Sequence, residues 1–280
     1  MEHTAYLGST LKKIAREKAG IIKEKCPVIS GIAQPFLVQF IERYAHRQGA
    51  PFYQLGRNFF LQEAKKTGNS QSFDFKGPTN LYTGLTIGLL GKHQLYNAAL
   101  AVATAEILAW SGWPVRKSHI KRGLRRAFWP ARLELIKRKG RRILIDGAHN
   151  PAAVCALKSA LSNGWFPARR LVLILGILKD KDARGILAPL LPMADQIIFT
   201  RPCSDRALSE KILLRQAKDI VYGKSYYVVP NTDKALAKAF QLCRSDSDLI
   251  CATGSLYTAG EIRRLLIKRP GFTLNRRIRG

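Results

Sequence analysis

Acidic residues are scarce in this sequence. Asp and Glu together number 19 against 47 Lys and Arg, a formal net charge of +28 over 280 residues. A chain this basic attracts polyanions, yet it has no RNP aromatic motif, no zinc-finger spacing and no basic-leucine heptads, so only non-specific nucleic-acid association is expected. Long apolar runs are also missing. Leu171–Leu175 is representative, and a bilayer span takes about 20 residues, so no membrane partner is expected. The opening Met1-Glu2-His3-Thr4 lacks the basic and apolar regions of a signal peptide. The five cysteines contain no CxxC pair, which argues against a disulfide framework or a zinc site and suits the reducing cytoplasm. No GxxxxGK[ST] phosphate loop occurs anywhere.

What is present is a globular composition, with 46% hydrophobic residues, and two contrasting grammars. In the first, periodicity predicts helices over 9–25, 34–47, 93–110 and 118–128, and a β-rich zone between 52 and 90. After Trp129-Pro130 a hairpin is expected through Lys139-Gly140. Strands over 171–175, 196–200, 226–229 and 249–252 then alternate with helices over 151–161, 184–191, 208–218, 233–242 and 257–266. That alternation predicts a Rossmann-like, doubly wound α/β sheet. The positive charge gathers in two places: twelve Lys/Arg between 116 and 142, with Glu134 the single acid, and seven between 263 and 279, with none. Solvated faces are the ordinary reading of such runs.

Several short motifs carry chemistry. Lys18 lies four residues after Ile14 and three after Ala15, which places it on the buried stripe of its helix. A desolvated lysine is readily neutral, and a neutral amine can take up carbon dioxide as a carbamate, an anionic oxygen ligand for a hard metal. A snorkelling lysine fits the same position. Asp146-Gly147-Ala148-His149-Asn150-Pro151 follows the apolar segment 143–145, at the strand end where open α/β sheets bind ligands. Asn150 and Pro151 read as a helix cap and first turn, which leaves Asp146 and His149 to explain. Gly91-Lys92-His93-Gln94 and Asn97 open a helix, where the amides can meet a base or cap the turn. Ser255, in Thr253-Gly254-Ser255, stands at another helix start, either near an anion or as a plain cap. Asp182, in the 176–182 loop, is a further cap candidate.

Taken in order, these segments resemble one family. Leu7-Gly8-Ser9-Thr10-Leu11, the run 14–23 around Lys18, Gly91-Lys92-His93-Gln94 with Asn97, Trp129-Pro130-Ala131-Arg132-Leu133-Glu134, Asp146 to Pro151, Lys179-Asp180-Lys181-Asp182, Arg206-Ala207 and Gly254-Ser255-Leu256-Tyr257 are similar to folylpolyglutamate synthase/dihydrofolate synthase of the Mur ligase superfamily. The resemblance implies a partial Mur-ligase-type ATPase domain over 1–128, a linker at 129–131, a Rossmann-like C-terminal Mur ligase domain over 132–270 and a basic tail over 271–280. It implies a cytoplasmic, ATP- and Mg2+-dependent ligase that joins L-glutamate to dihydropteroate or folates through an acyl phosphate.

By resemblance, His3 is a magnesium ligand and Lys18, as its carbamate, helps hold a second metal. Asn97 contacts the nucleotide base, Arg132 reaches the phosphates, and Asp146 lies on the nucleotide side. His149 stands near the phosphate and the incoming glutamate, and Ser255 lies toward the glutamate. Ala131 stands where the family has Gly, a mild change on this reading. The family's glycine-rich phosphate loop has no counterpart here, which implies a fragment whose loop-bearing part is supplied elsewhere, for instance by a separate chain. The alternative is a non-catalytic remnant or a folate/nucleotide-binding module.

Overall fold

The structure is a computed structural model that describes residues 10–67 and 70–267. His3 and the 271–280 tail lie outside the described residues. The chain divides into two compact units, Met1–Phe128 and Trp129–Gly280.

In the first unit, helix α1 (Leu11–Ala19) starts at a Thr10 cap whose hydroxyl accepts the Lys13 N–H, and stops at Gly20. It is shorter than the periodicity predicts and its contact face is narrow. Ala15 and Ala19, one turn apart, pack with Leu37 and Ile41 of α2 (Pro35–Arg47). Lys18 lies off that stripe and is exposed, which corrects its expected burial. Strands β1 (Val28–Ser30) and β2 (Phe52–Gln54) form a short parallel pair. Strands β3 (Phe60–Thr67), β4 (Ser70–Lys76) and β5 (Leu81–Ile87) form an antiparallel sheet. Along β4 the residues Gln71, Phe73 and Phe75 are buried and their neighbours are not, the period-two pattern of a sheet with one covered face. That face packs on α3 (Lys92–Trp110) and α4 (Lys117–Arg126) through Leu95, Ala99, Val102, Ile120 and Leu124.

The second unit opens with the antiparallel hairpin β6 (Glu134–Arg138) and β7 (Arg141–Ile145), turning through Lys139 and Gly140, both at positive φ. It continues with α5 (Pro151–Ser162), β8 (Leu171–Leu175), α6 (Ala183–Leu190), β9 (Gln196–Phe199) and α7 (Glu210–Ala217). It ends with β10 (Ser225–Val228), α8 (Thr232–Leu242), β11 (Leu249–Thr253) and α9 (Leu256–Ile267). The sheet order is β10-β9-β8-β11-β7-β6, parallel except for β6.

All five residues of β8 and of β11 are buried, as expected for parallel strands covered on both faces. Ile143, Ile145, Val172, Ile174 and Ile250 pack on α8 and α9, and the residues alternating with them, such as Leu144, Leu173 and Leu175, are completely buried on the other face. The chain leaves β7 and builds β8, β9 and β10 in one direction. It then returns to insert β11 between β7 and β8. The carboxyl ends of these three strands therefore meet at a topological switch point, the position where such sheets bind ligands. The five cysteines are free thiols, Cys243 and Cys251 buried and the others exposed. No helix among the described residues is long and apolar enough to cross a membrane.

Candidate functional site

At the switch point, Asp146 follows β7 and is held from both sides. Its Oδ2 accepts the Leu133 N–H at 2.9 Å and its Oδ1 accepts the Ala148 N–H at 2.9 Å. The carboxylate thus clasps the 131–134 turn to the 146–149 loop. A second tie runs from Gly147 N–H to the Ala131 carbonyl at 2.8 Å. His149 Nδ1 lies 2.8 Å from the Gly147 carbonyl. A carbonyl only accepts, so Nδ1 carries the proton, and in the neutral ring the lone pair is on Nε2. Arg132, on the clasped turn, is exposed. It and His149 both exert charge on Asp146. The structure therefore gathers three of the expected residues, Arg132, Asp146 and His149, around one strand end.

The turn is strained as well as clasped. Ala131 and Leu133 have φ of 55° and 47°, in the left-handed region where a Cβ costs about 1–2 kcal/mol. The Gly-to-Ala departure at 131, expected to be mild, falls where glycine is favoured. Glu134 restrains the turn from beneath. It accepts the Ala131 N–H at 2.9 Å and forms a two-point ion pair with Arg263 Nε at 2.8 and 3.0 Å. The motif reading did not give Glu134 this role, and it has one sequence signal: it is the single acid in the 116–142 stretch.

Burial pushes the Asp146 carboxyl above the ordinary aspartate value. The two backbone N–H groups, Arg132 and His149 pull against that rise without cancelling it. A raised folded-state pKa means that the contribution to stability is fully present below the unfolded value and is lost as pH rises through the folded one. Asp146→Asn mimics the protonated form. Melting of wild type and variant between about pH 3 and 6 is therefore expected to show wild type losing ground to the variant as pH rises; a constant gap contradicts this.

Across the switch point, Gly254 has φ 101°, and its N–H donates to the Ala148 carbonyl at 3.1 Å. Ser255, assigned toward the glutamate, is completely buried. Its hydroxyl caps α9 by accepting the Thr258 N–H at 3.0 Å and lies 2.8 Å from Thr258 Oγ1, which donates to the Gly176 carbonyl at 2.9 Å. The Ser255 hydroxyl therefore builds the helix start, and these partners are internal to the fold. Asn150 caps α5 by accepting the Ala153 N–H at 2.7 Å, and Asp182 caps α6 by accepting the Gly185 N–H at 2.9 Å. On the 176–182 loop, Lys181 and then Arg206 hold the Asp180 carboxyl below its usual range, and Lys179 Nζ donates to the Asp205 carbonyl at 2.8 Å.

In the first unit, Asn97 is exposed on α3, its Nδ2 donating to Gln94 Oε1 at 3.1 Å. Gln71, which the sequence reading passed over, steadies this helix start. It is 1% exposed, and its Nε2 donates to the carbonyls of Leu89 and Gly91 at 2.7 and 3.0 Å. Lys18 stands apart on α1, so the desolvation invoked for its carbamate is absent. Among the described residues no three His, Cys, Asp or Glu side chains converge to hold a metal. The described residues alone do not form the magnesium site that the resemblance implies.

Comparison with known proteins gives a consistent picture. Residues 131–256 match the glutamate ligase domain of Mur ligases. The chain is 32% identical over 95% of its length to dihydrofolate synthase/folylpolyglutamate synthase of Bacillus subtilis, covering 60% of that protein. It is equally identical, over the same shares, to folylpolyglutamate synthase of Lacticaseibacillus casei. A solved structure of Mycobacterium tuberculosis folylpolyglutamate synthase complexed with ADP is similar with a TM-score of 0.84 at 30% identity, over 95% of this chain and 61% of that one. The chain spans about 60% of the length of the curated relatives it matches.

Proposed function

We propose that this chain, a homologue of the folylpolyglutamate and dihydrofolate synthases over 95% of its length, takes part in ATP- and Mg2+-dependent addition of L-glutamate to dihydropteroate or to folates. A carboxylate has no leaving group. Transfer of the γ-phosphoryl of ATP turns it into an acyl phosphate, which the glutamate amine attacks. The carbon–nitrogen bond forms, phosphate departs, and the amine gives up a proton. The observation that carries the reading is the Asp146 clasp at the switch point, which fixes Arg132 and His149 beside one carboxylate.

On this reading Arg132 is the cation that meets phosphoryl oxygens, through a planar fork suited to them. His149 is the proton acceptor for the incoming amine, through Nε2, the tautomer that its bond to Gly147 selects. Asp146 positions both by clasping the 131–134 turn to the 146–149 loop, and it remains the proposed residue on the nucleotide side. Asn97 remains the proposed base contact in the first unit. His3 and a Lys18 carbamate remain the proposed magnesium ligands, on the resemblance alone.

The sequence contains no GxxxxGK[ST] loop, so the remaining phosphate grip is proposed to come from residues beyond these 280. The second reading, a nucleotide- or folate-binding module without turnover, rests on the same observation together with the exposed Lys18. One assay separates the two. The chain is incubated with ATP, Mg2+, L-glutamate and either dihydropteroate or tetrahydrofolate. It is tested alone and mixed with the amino-terminal segment of the Bacillus subtilis relative that precedes the matched region. Glutamylated product, read by mass spectrometry, supports the ligase. No product in either mixture, with ADP binding retained, supports the module. Neither product nor nucleotide binding overturns both.

Where turnover is found, His149→Ala is expected to lower it by about 100-fold or more, the contribution typical of a positioned base. The melting temperature is expected to stay close to wild type, because the half-buried ring stands on the 146–149 loop outside the sheet core. Unchanged turnover removes the role given to His149.

A further inference from the structure

The strongest concentration of positive charge within a folded element is α4 and its approach, and the ligase reading leaves it without a role. No Asp or Glu occurs between Glu106 and Glu134. Within that stretch Arg116, Lys117, Lys121, Arg122, Arg125 and Arg126 are all exposed. Just ahead of them in the chain are two solvent-facing indoles, Trp110 at 68% exposure and Trp113 at 64%. Large apolar side chains left this open on a folded unit call for an explanation when they cluster. Trp110 and Lys117 also share the wall of a cavity of about 270 Å³, with Asn80, Ala109 and Val115 among its other residues. The acid on that wall, Glu106, is 2% exposed and accepts the Thr79 N–H, so it belongs to the turn and not to the opening.

We propose that the α4 face is a sequence-tolerant binding surface for single-stranded nucleic acid. Trp110 and Trp113 are its stacking platforms, and Arg116, Lys117, Lys121 and Arg122 are its phosphate partners. Cations that track a backbone beside aromatic faces for unpaired bases are the general recipe for such surfaces. Paired bases offer the indoles no open face, so a duplex uses only half of the arrangement. An acidic polypeptide likewise leaves the indoles idle. A lipid surface fits less well. A helix that lies in a membrane interface inserts an apolar face, and the apolar stripe of α4, Ile120 and Leu124, is already packed in the core of its own unit. Trp110 is thirteen residues from Asn97 on the same helix, about 20 Å along its axis. The surface is therefore independent of the proposed nucleotide contact, and failure of either leaves the other standing.

The test uses the whole chain and labelled oligo(dT), followed by fluorescence anisotropy near physiological salt. Competitors are a duplex hairpin of equal charge, poly-L-glutamate and phosphatidylserine vesicles. Oligo(dT) is expected to bind more tightly than each of them. Trp110→Ala and Trp113→Ala leave the net charge at +28 and are each expected to weaken oligo(dT) about fivefold or more, from stacking worth about 1–3 kcal/mol per base. Their effect on the other polyanions is expected to be negligible. Lys121→Ala/Arg122→Ala is expected to reduce the slope of log affinity against log salt by about 1.4, or about 0.7 per lost contact. Lys211→Ala/Arg215→Ala removes equal charge in the second unit and is expected to leave the tryptophan dependence intact. The exposed positions keep the variants folded, which circular dichroism checks. Duplex, polyglutamate or vesicles binding as tightly as oligo(dT) overturns the proposal, as do tryptophan variants that bind like wild type.

Discussion

Gly254→Ala is expected to destabilise the second unit by about 4 kcal/mol and to disturb the switch-point site. Two costs add. At φ 101° the backbone is in a region that side chains rarely occupy, a strain of about 1–3 kcal/mol. The new Cβ also stands 2.9 Å from the Gly176 carbonyl oxygen and 3.1 Å from Ile177 Cγ1, and overpacking of that kind costs about 1–3 kcal/mol. The Gly176 carbonyl does not yield easily, since it is held by the Thr258 hydroxyl at 2.9 Å. At roughly 2–4 °C per kcal/mol for a unit of this size, the melting temperature should fall by roughly 10 °C.

The functional consequence follows from one hydrogen bond. Gly254 N–H donates to the Ala148 carbonyl, one residue before His149, so moving Gly254 moves the histidine. Gly260→Ala is the internal control. It is a glycine in α9 with nothing within 4 Å of a new Cβ, and alanine there should be neutral or stabilising by up to about 1 kcal/mol. Thermal melts of the two variants should therefore diverge in sign. Equal behaviour contradicts the packing at residues 176 and 254.

The contrast between these glycines also marks what can be read from a sequence. The alternation of apolar strands and amphipathic helices after residue 130 is a strong signal, because parallel strands buried on both faces must be continuously apolar, as Leu171–Leu175 is. The placement of Asp146 and His149 was legible for the same reason: polar groups directly after such a strand fall at the end where open α/β sheets bind ligands. Lys18 was misread because its offsets from Ile14 and Ala15 suggested that it shares their apolar stripe. Gly20 ends the helix before Ile22, and two alanines suffice to seat α1 on α2. Ser255 read either as a plain cap or as a group near an anion, and in the structure its hydroxyl caps α9 by accepting the Thr258 N–H. Glu134 and Arg263 were not legible as partners. They are 129 residues apart, and nothing local announces a contact that the return of the chain through β11 and α9 creates.

That long-range pair has the second large expected effect. Glu134→Ala removes a carboxylate whose side chain is 6% exposed. It takes from Arg263, whose side chain is 23% exposed, the two-point ion pair and leaves the Ala131 N–H without its acceptor. Breaking a buried pair from one side costs about 3–5 kcal/mol, and an unpaired buried N–H about 1–3 kcal/mol. Water reaching Arg263 discounts the first figure, so about 3 kcal/mol is expected, a fall of roughly 6–12 °C in melting temperature. Arg263→Ala leaves Glu134 its bond to Ala131 and should cost less. The double variant should lose less than the sum of the singles, because each removes the same interaction. Glu134→Gln can still accept the Ala131 N–H and should fall between wild type and alanine. The ordering bears on function through Ala131 and Leu133. Two strained residues stay in place only while their surroundings hold them, and here Glu134 accepts the Ala131 N–H and Asp146 the Leu133 N–H. With Glu134 gone the turn can relax, Arg132 loses its fixed placement, and glutamate ligation by any active assembly should fall further than the stability loss accounts for. Glu134→Ala that melts like wild type would show that the 131–134 turn is held without Glu134.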